Sequence, residues 1–114
     1  MIELLLFTAA WTLGGMYSLW VFYLAVMNLA RAKRNGLLNK TALVLGTPLL
    51  VVGYLMDFLM NVTVMTVVLL EWPNETTVTA RLKRHNKEST GWRLAIVKWF
   101  EPILDPYDPS GDHI

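Results

Sequence analysis

The sequence predicts an all-α integral membrane protein, with two transmembrane helices followed by an amphipathic interfacial C-terminal helix. Three observations predict it. Leu4 to Ala30 is a run of 27 residues without a charge. Thr41 to Leu70 is a 30-residue run in which Asp57 is the only charged side chain. Residues 92–104 place apolar side chains at i, i+3, i+4, i+7, i+8, i+11 and i+12, the period of a one-sided helix. In a chain of 114 residues, lipid can cover two such apolar helices on all sides where a soluble core cannot.

The first element is a span over about residues 4–30. At about 1.5 Å per residue it reaches roughly 40 Å, more than a hydrocarbon core of about 30 Å. A signal peptide is the competing reading, but no Lys or Arg precedes Arg31 and the apolar stretch is too long for one. Ala10, Gly14 and Ser18 recur every four residues and are expected to form a helix-packing face, because small side chains let backbones approach closely. The plain alternative is that Gly and Ala are common in membrane helices.

A basic loop, residues 31–46, begins with Arg31-Ala32-Lys33-Arg34-Asn35-Gly36. Cations suit a helix C-terminus and Gly36 can end it. The second span is expected over about 48–70, with Thr47 as cap and Pro48 at the first helical position. A longer helix from Thr41, kinked at Pro48, is the alternative. Within it Gly53, Asp57 and Asn61 share one face and are expected to make an intramembrane polar contact, with Thr8, Thr12 and Ser18 as candidate partners. An acidic group in a membrane-length segment is costly without a partner. Asp57 therefore reads as a structural acid, a contact to a partner's membrane segment, or a relay group. No second ionisable residue in either span supports the relay.

All ten Lys and Arg lie in residues 31–40 and 81–98. Two spans put these blocks on opposite sides of the membrane, against the rule that cationic segments stay cytoplasmic. The expectation favours two spans with the tail in the cytoplasm. A re-entrant hairpin turning near Asp57 would keep both blocks on one side.

Residues 1–71 thus form a membrane hairpin and 72–114 a basic, amphipathic membrane-surface tail. Trp72 and Pro73 mark the boundary. A short helix is expected over 77–87, capped by Thr76 or Thr77 and broken by Gly91. Arg81, Lys83, Arg84 and Lys87 are expected to form a surface basic patch drawn to anionic headgroups. Residues 92–104 form the next helix, its interfacial face carried by Trp92, Ile96, Trp99, Phe100 and Ile103, or packed against 77–87 instead. The closing LDPYDPSGDHI reads as an ordered turn cap, since each Pro drives the preceding Asp out of helical conformation.

At LMDFLMNVTVMTVVLLEWP, TARLKRH, GWRLAIVKWF and LDPYDPSGDHI, over roughly residues 46–114, the chain resembles an uncharacterised family of small membrane proteins encoded by tailed bacteriophages and prophages. The resemblance implies a bacterial inner-membrane location and transfers no catalytic residue.

The absence of cysteine excludes disulfides, Cys-based zinc sites and thiol catalysis. Asp105, Asp108, Asp112 and His113 fit no metal-loop spacing and read as a hydrogen-bonded turn cluster. Ser110 with His113 is no catalytic triad, because nothing positions a nucleophile. The basic patch lacks the stacking aromatics and extent of a nucleic-acid surface. The expected protein is non-enzymatic, without cofactor or metal. It modifies the host envelope by binding the lipid bilayer, a membrane-protein partner or a second copy of itself, with superinfection exclusion as one form of that role. A holin-like lysis protein forming membrane lesions is the alternative.

Overall fold

A computed structural model describes residues 1–114 and is all-helical. Helix α1 runs Ile2–Arg34 and α2 Lys40–Leu69; both are long and apolar enough to cross a membrane. Helix α3 runs Val78–Glu88 and α4 Trp92–Leu104, followed by a 3-10 turn at Asp105–Tyr107.

Helix α1 extends past the expected 4–30 because Arg31, Lys33 and Arg34 stay helical, cations against the negative end of the dipole. It closes on Gly36, whose φ of +70° suits a residue without Cβ. Leu37 N donates to Ala32 O at 2.8 Å and Gly36 N to Lys33 O at 3.1 Å, satisfying the last carbonyls.

Helix α2 begins eight residues before the expected Pro48, at Lys40. Asn39, not Thr47, caps it, accepting from Ala42 N at 2.8 Å. Pro48 lies inside the helix, where Thr47 Oγ1 donates to Leu43 O at 2.8 Å beside the missing proline N–H. The helix continues through Asp57, so the re-entrant turn is not formed. It ends with Leu70 in the left-handed region, φ +50°, and Arg93 covers the end by donating to Leu69 O at 2.9 Å and Leu70 O at 3.2 Å.

Each long helix contains one π-helical turn, Ala10–Gly14 and Asn61–Met65. The two lie face to face, Trp11 Nε1 donating to Thr63 Oγ1 at 3.1 Å. A π turn inserts a residue and rotates the helix face. Ala10, Gly14 and Ser18 therefore do not form the packing face. A Cβ on Gly14 would meet open space, whereas one on Gly15 would sit 2.6 Å from Met60 Sδ. On α2 the close approaches are at Gly53, against Phe22, and Gly46, against Leu29.

Helix α3 starts on Thr77, whose Oγ1 accepts from Ala80 N at 3.1 Å. Gly91, φ +70°, turns the chain into α4. The tail then folds back onto the hairpin. The core joins Met60, Met65 and Leu69 of α2 to Leu82 of α3 and Val97 of α4, so the composition break at residue 71 is not a break in packing. Ile96 and Phe100 pack against this core, and Val97 is the fully buried residue of α4. The predicted interfacial face is thus divided. Trp92 and Trp99 stay exposed, while Ile103 is half-buried beneath α1.

The tail follows the hairpin from end to end. Arg93 holds the C-terminus of α2, Trp20 Nε1 reaches Ile103 O at 3.5 Å, Tyr23 donates to Leu104 O, and Arg31 Nη2 reaches Tyr107 O at 3.1 Å.

Candidate functional site

Asp57 finds its partner in the tail rather than in α1. Its Oδ1 accepts the Val78 N–H at 2.6 Å, so a side chain of α2 caps the first turn of α3. A carboxyl group there meets both an unsatisfied amide and the positive end of the helix dipole. The candidate partners Thr8, Thr12 and Ser18 play no such part, and Thr8 instead donates to Leu4 O at 2.8 Å. Asn61, fully buried, also turns to the tail, donating from Nδ2 to Glu75 O at 2.6 Å. Gly53 contributes close packing on Phe22 rather than a polar contact.

From Thr79, the residue after Val78, a second polar chain crosses from α3 to the C-terminus. Thr79 Oγ1 lies 2.9 Å from His113 Nε2, and His113 Nδ1 lies 2.8 Å from Asp108 Oδ2. Asp108 Oδ1 accepts from Ser110 N at 2.8 Å and Ser110 Oγ at 2.7 Å. Burial alone would raise the Asp108 carboxyl, but the His113 and Ser110 hydrogen bonds outweigh it and hold it at about 2. Asp105 Oδ1 fixes the terminal backbone, accepting from His113 N at 2.8 Å and Ile114 N at 2.9 Å. The His113 ring packs 4.7 Å from that of Tyr23. The terminal acids therefore do form a hydrogen-bonded turn cluster, though Asp112 stays exposed at its edge.

Two apolar cavities, about 440 and 380 Å³, flank this chain. The larger lies between α1, α2 and α4, among Met16, Trp20, Val68, Phe100 and Ile103. The smaller lies along α1 and α2, among Phe22, Val26 and Tyr54. Leu19, Tyr23, Asp57 and Thr79 line both, so the polar groups stand where the two meet.

The expected basic patch is split. Arg81 is fully buried, donating to Asn61 O at 2.8 Å, Thr66 Oγ1 at 3.3 Å, and Glu71 O and Oε1 at 2.6 and 3.2 Å. A buried guanidinium requires such saturation, and its planar fork can provide it. Arg84 pairs with Glu71 at 2.6 Å and also with Glu75. His85 Nε2 lies 2.6 Å from the same Glu71 oxygen. Burial would raise the Glu71 carboxyl, but His85, Arg84 and Arg81 together hold it at about 2. Only Lys83 and Lys87 of the four remain exposed.

Thr79, Tyr23, Glu71 and Asn86, which donates to Ile114 O at 2.9 Å, carry no spacing signal in the sequence. Their roles exist only once the tail folds back. The chain matches no protein-family model, no curated protein and no solved structure.

Proposed function

We propose that the chain is a membrane-embedded lipid-binding protein, its hairpin sunk in one side of a bilayer beneath the tail, and that the cleft between hairpin and tail takes an acyl chain. The observation that carries this reading is the apolar cleft of about 440 Å³, within the range of small-molecule sites and bordered by helices whose outer faces are themselves apolar and exposed. Leu4, Leu5, Phe7, Leu43, Val44, Val51 and Val52 are all exposed on those faces, and in hydrocarbon such surface is solvated rather than stranded.

The course of the tail favours lying in one side of the bilayer over crossing it. The tail touches both ends of the hairpin and carries Lys83, Lys87 and Lys98 outward. Two perpendicular spans would drag those cations into hydrocarbon, at a cost of about 2.5–3.5 kcal/mol each on insertion scales. With the hairpin lying beneath the tail, both basic blocks stay on one face and the topological conflict disappears. Trp92 and Trp99 then suit headgroup depth. The resemblance to phage-encoded membrane proteins accords with a bacterial inner membrane and with a role in altering the host envelope.

Lipid retention tests the reading. Protein extracted in a delipidating detergent is expected to keep a phospholipid in native mass spectra, and Met16→Trp, which fills the cleft, is expected to lose it. Equal retention by both proteins, or none by either, contradicts the proposal. Collapse of membrane potential on expression alone would point to lesion formation instead.

A further inference from the structure

We infer that Thr79, His113 and Asp108 form a relay that cleaves carboxylic esters of lipids held in the cleft. The inference rests on the lipid-binding reading for its substrate, and on the relay geometry for its chemistry.

The relay has the order that activates a hydroxyl. Asp108 Oδ2 lies 2.8 Å from His113 Nδ1; with the ring proton on Nδ1, donated to that carboxylate, Nε2 is the acceptor, 2.9 Å from Thr79 Oγ1. That is nucleophile, base and orienting carboxylate at hydrogen-bond spacing. The base is held on every side. Asp105 fixes its main chain, Tyr23 packs on its ring and Ser110 fixes Asp108. Such locking is what positioned chemistry requires, since the geometry is set before the substrate arrives.

Thr79 also lines both cavities, which places it at the border of the space an acyl chain would fill. Among the first-turn amides of α3, Val78 N serves Asp57, Ala80 N serves Thr77 Oγ1 and Arg81 N serves Thr77 O. The Thr79 N–H is left for an oxyanion. The surroundings select the substrate class. Arg81 and Arg84 are committed to Glu71 and Glu75, and the charged side chain that shares the cavity lining with Thr79 is the Asp57 carboxyl. No Lys or Arg lines either cavity, so the reacting centre is a neutral ester carbonyl rather than a phosphate.

In the first step Thr79 Oγ bonds to the carbonyl carbon while its proton passes to His113 Nε2. The bond from that carbon to the alcohol oxygen breaks, and the alcohol leaves with the proton. Water then gives a proton to His113 and its oxygen bonds to the acyl carbon. The acyl–Thr79 bond breaks, the carboxylic acid departs and the proton returns to Thr79. A secondary hydroxyl and one free oxyanion donor make a slow catalyst.

The test uses the full chain in phospholipid nanodiscs, with p-nitrophenyl butyrate as soluble ester and a fluorophosphonate as covalent probe. Labelling is expected at Thr79 and ester cleavage above background. Thr79→Ala should lose both and Thr79→Ser keep both. His113→Gln should slow cleavage about 100-fold or more. Asp108→Asn should slow it too, with Asp108→Glu restoring part, as a positioning residue would. Circular dichroism confirms that each variant is folded. No labelling of folded wild-type protein, or equal rates for wild type and Thr79→Ala, overturns the relay even if lipid is still retained. Cleavage of the soluble ester with no lipid retained overturns the assigned substrate and the cleft reading, but not the relay.

Discussion

The Asp57 carboxyl of α2 accepts the Val78 N–H of α3 at 2.6 Å, joining the apolar hairpin to the polar tail across 21 residues of chain. Removing it strands a part-buried amide. Asp57→Ala is expected to cost about 1–3 kcal/mol, read as a lower unfolding midpoint in detergent. Asp57→Asn keeps an acceptor and should recover most of the loss. Equal destabilisation by both variants would show that the cap does not act through this hydrogen bond.

Glu71 gathers Arg81, Arg84 and His85 on one oxygen. Glu71→Gln leaves the buried Arg81 without a counter-charge and should cost about 3–5 kcal/mol. The pH dependence has a definite sign. The folded carboxyl titrates at about 2, below its ordinary 4.5, so its contribution is complete above about 4.5 and is lost as pH falls toward 2. Unfolding scans from pH 7 to 3 should show stability falling at the acid end. Glu71→Gln should flatten that fall, leaving the part due to Asp108, which is lowered in the same way.

Gly14 and Gly15 are neighbours with opposite expectations. A Cβ at Gly14 meets nothing within 4 Å, while one at Gly15 meets Met60 Sδ at 2.6 Å. Gly14→Ala should stabilise α1 by up to about 1 kcal/mol through helix propensity. Gly15→Val should cost about 1–3 kcal/mol by overpacking. Thermal unfolding of the pair separates the observed packing face from one running through Ala10, Gly14 and Ser18.

Leu70 sits at φ +50° with its side chain exposed. Leu70→Gly should therefore stabilise the protein by about 1 kcal/mol, relieving left-handed strain without opening a cavity. A loss of stability on the same substitution would mean that the exposed leucine side chain makes a contact of its own.

Much of this architecture is legible in the chain. The uncharged runs carry α1 and α2, the Thr77 cap and Gly91 delimit α3, and the 92–104 period gives the bounds of α4. Pro48 misleads because a capping Asn39 lies upstream and a proline inside a long apolar helix is tolerable. The phase of α1 is hidden by its π turn, which no residue pattern announces. Arg81 reads as a surface cation because its neighbours in sequence are Lys83 and Arg84, while its acceptors are Asn61, Thr66 and Glu71. Asp108 and His113 are visible as a cluster. Thr79 joins them only when 34 residues of chain fold back.

The disposition of the hairpin in the bilayer is tested most directly by cysteine labelling, since the chain has no native cysteine. Single cysteines at Asn35 and Ser89, in sealed membrane vesicles from expressing cells, are to be treated with a membrane-impermeant maleimide. A hairpin lying beneath its tail predicts that both positions react from the same side and that neither reacts from the other. Reaction of Asn35 and Ser89 from opposite sides would mean that α2 crosses the membrane and would contradict the account.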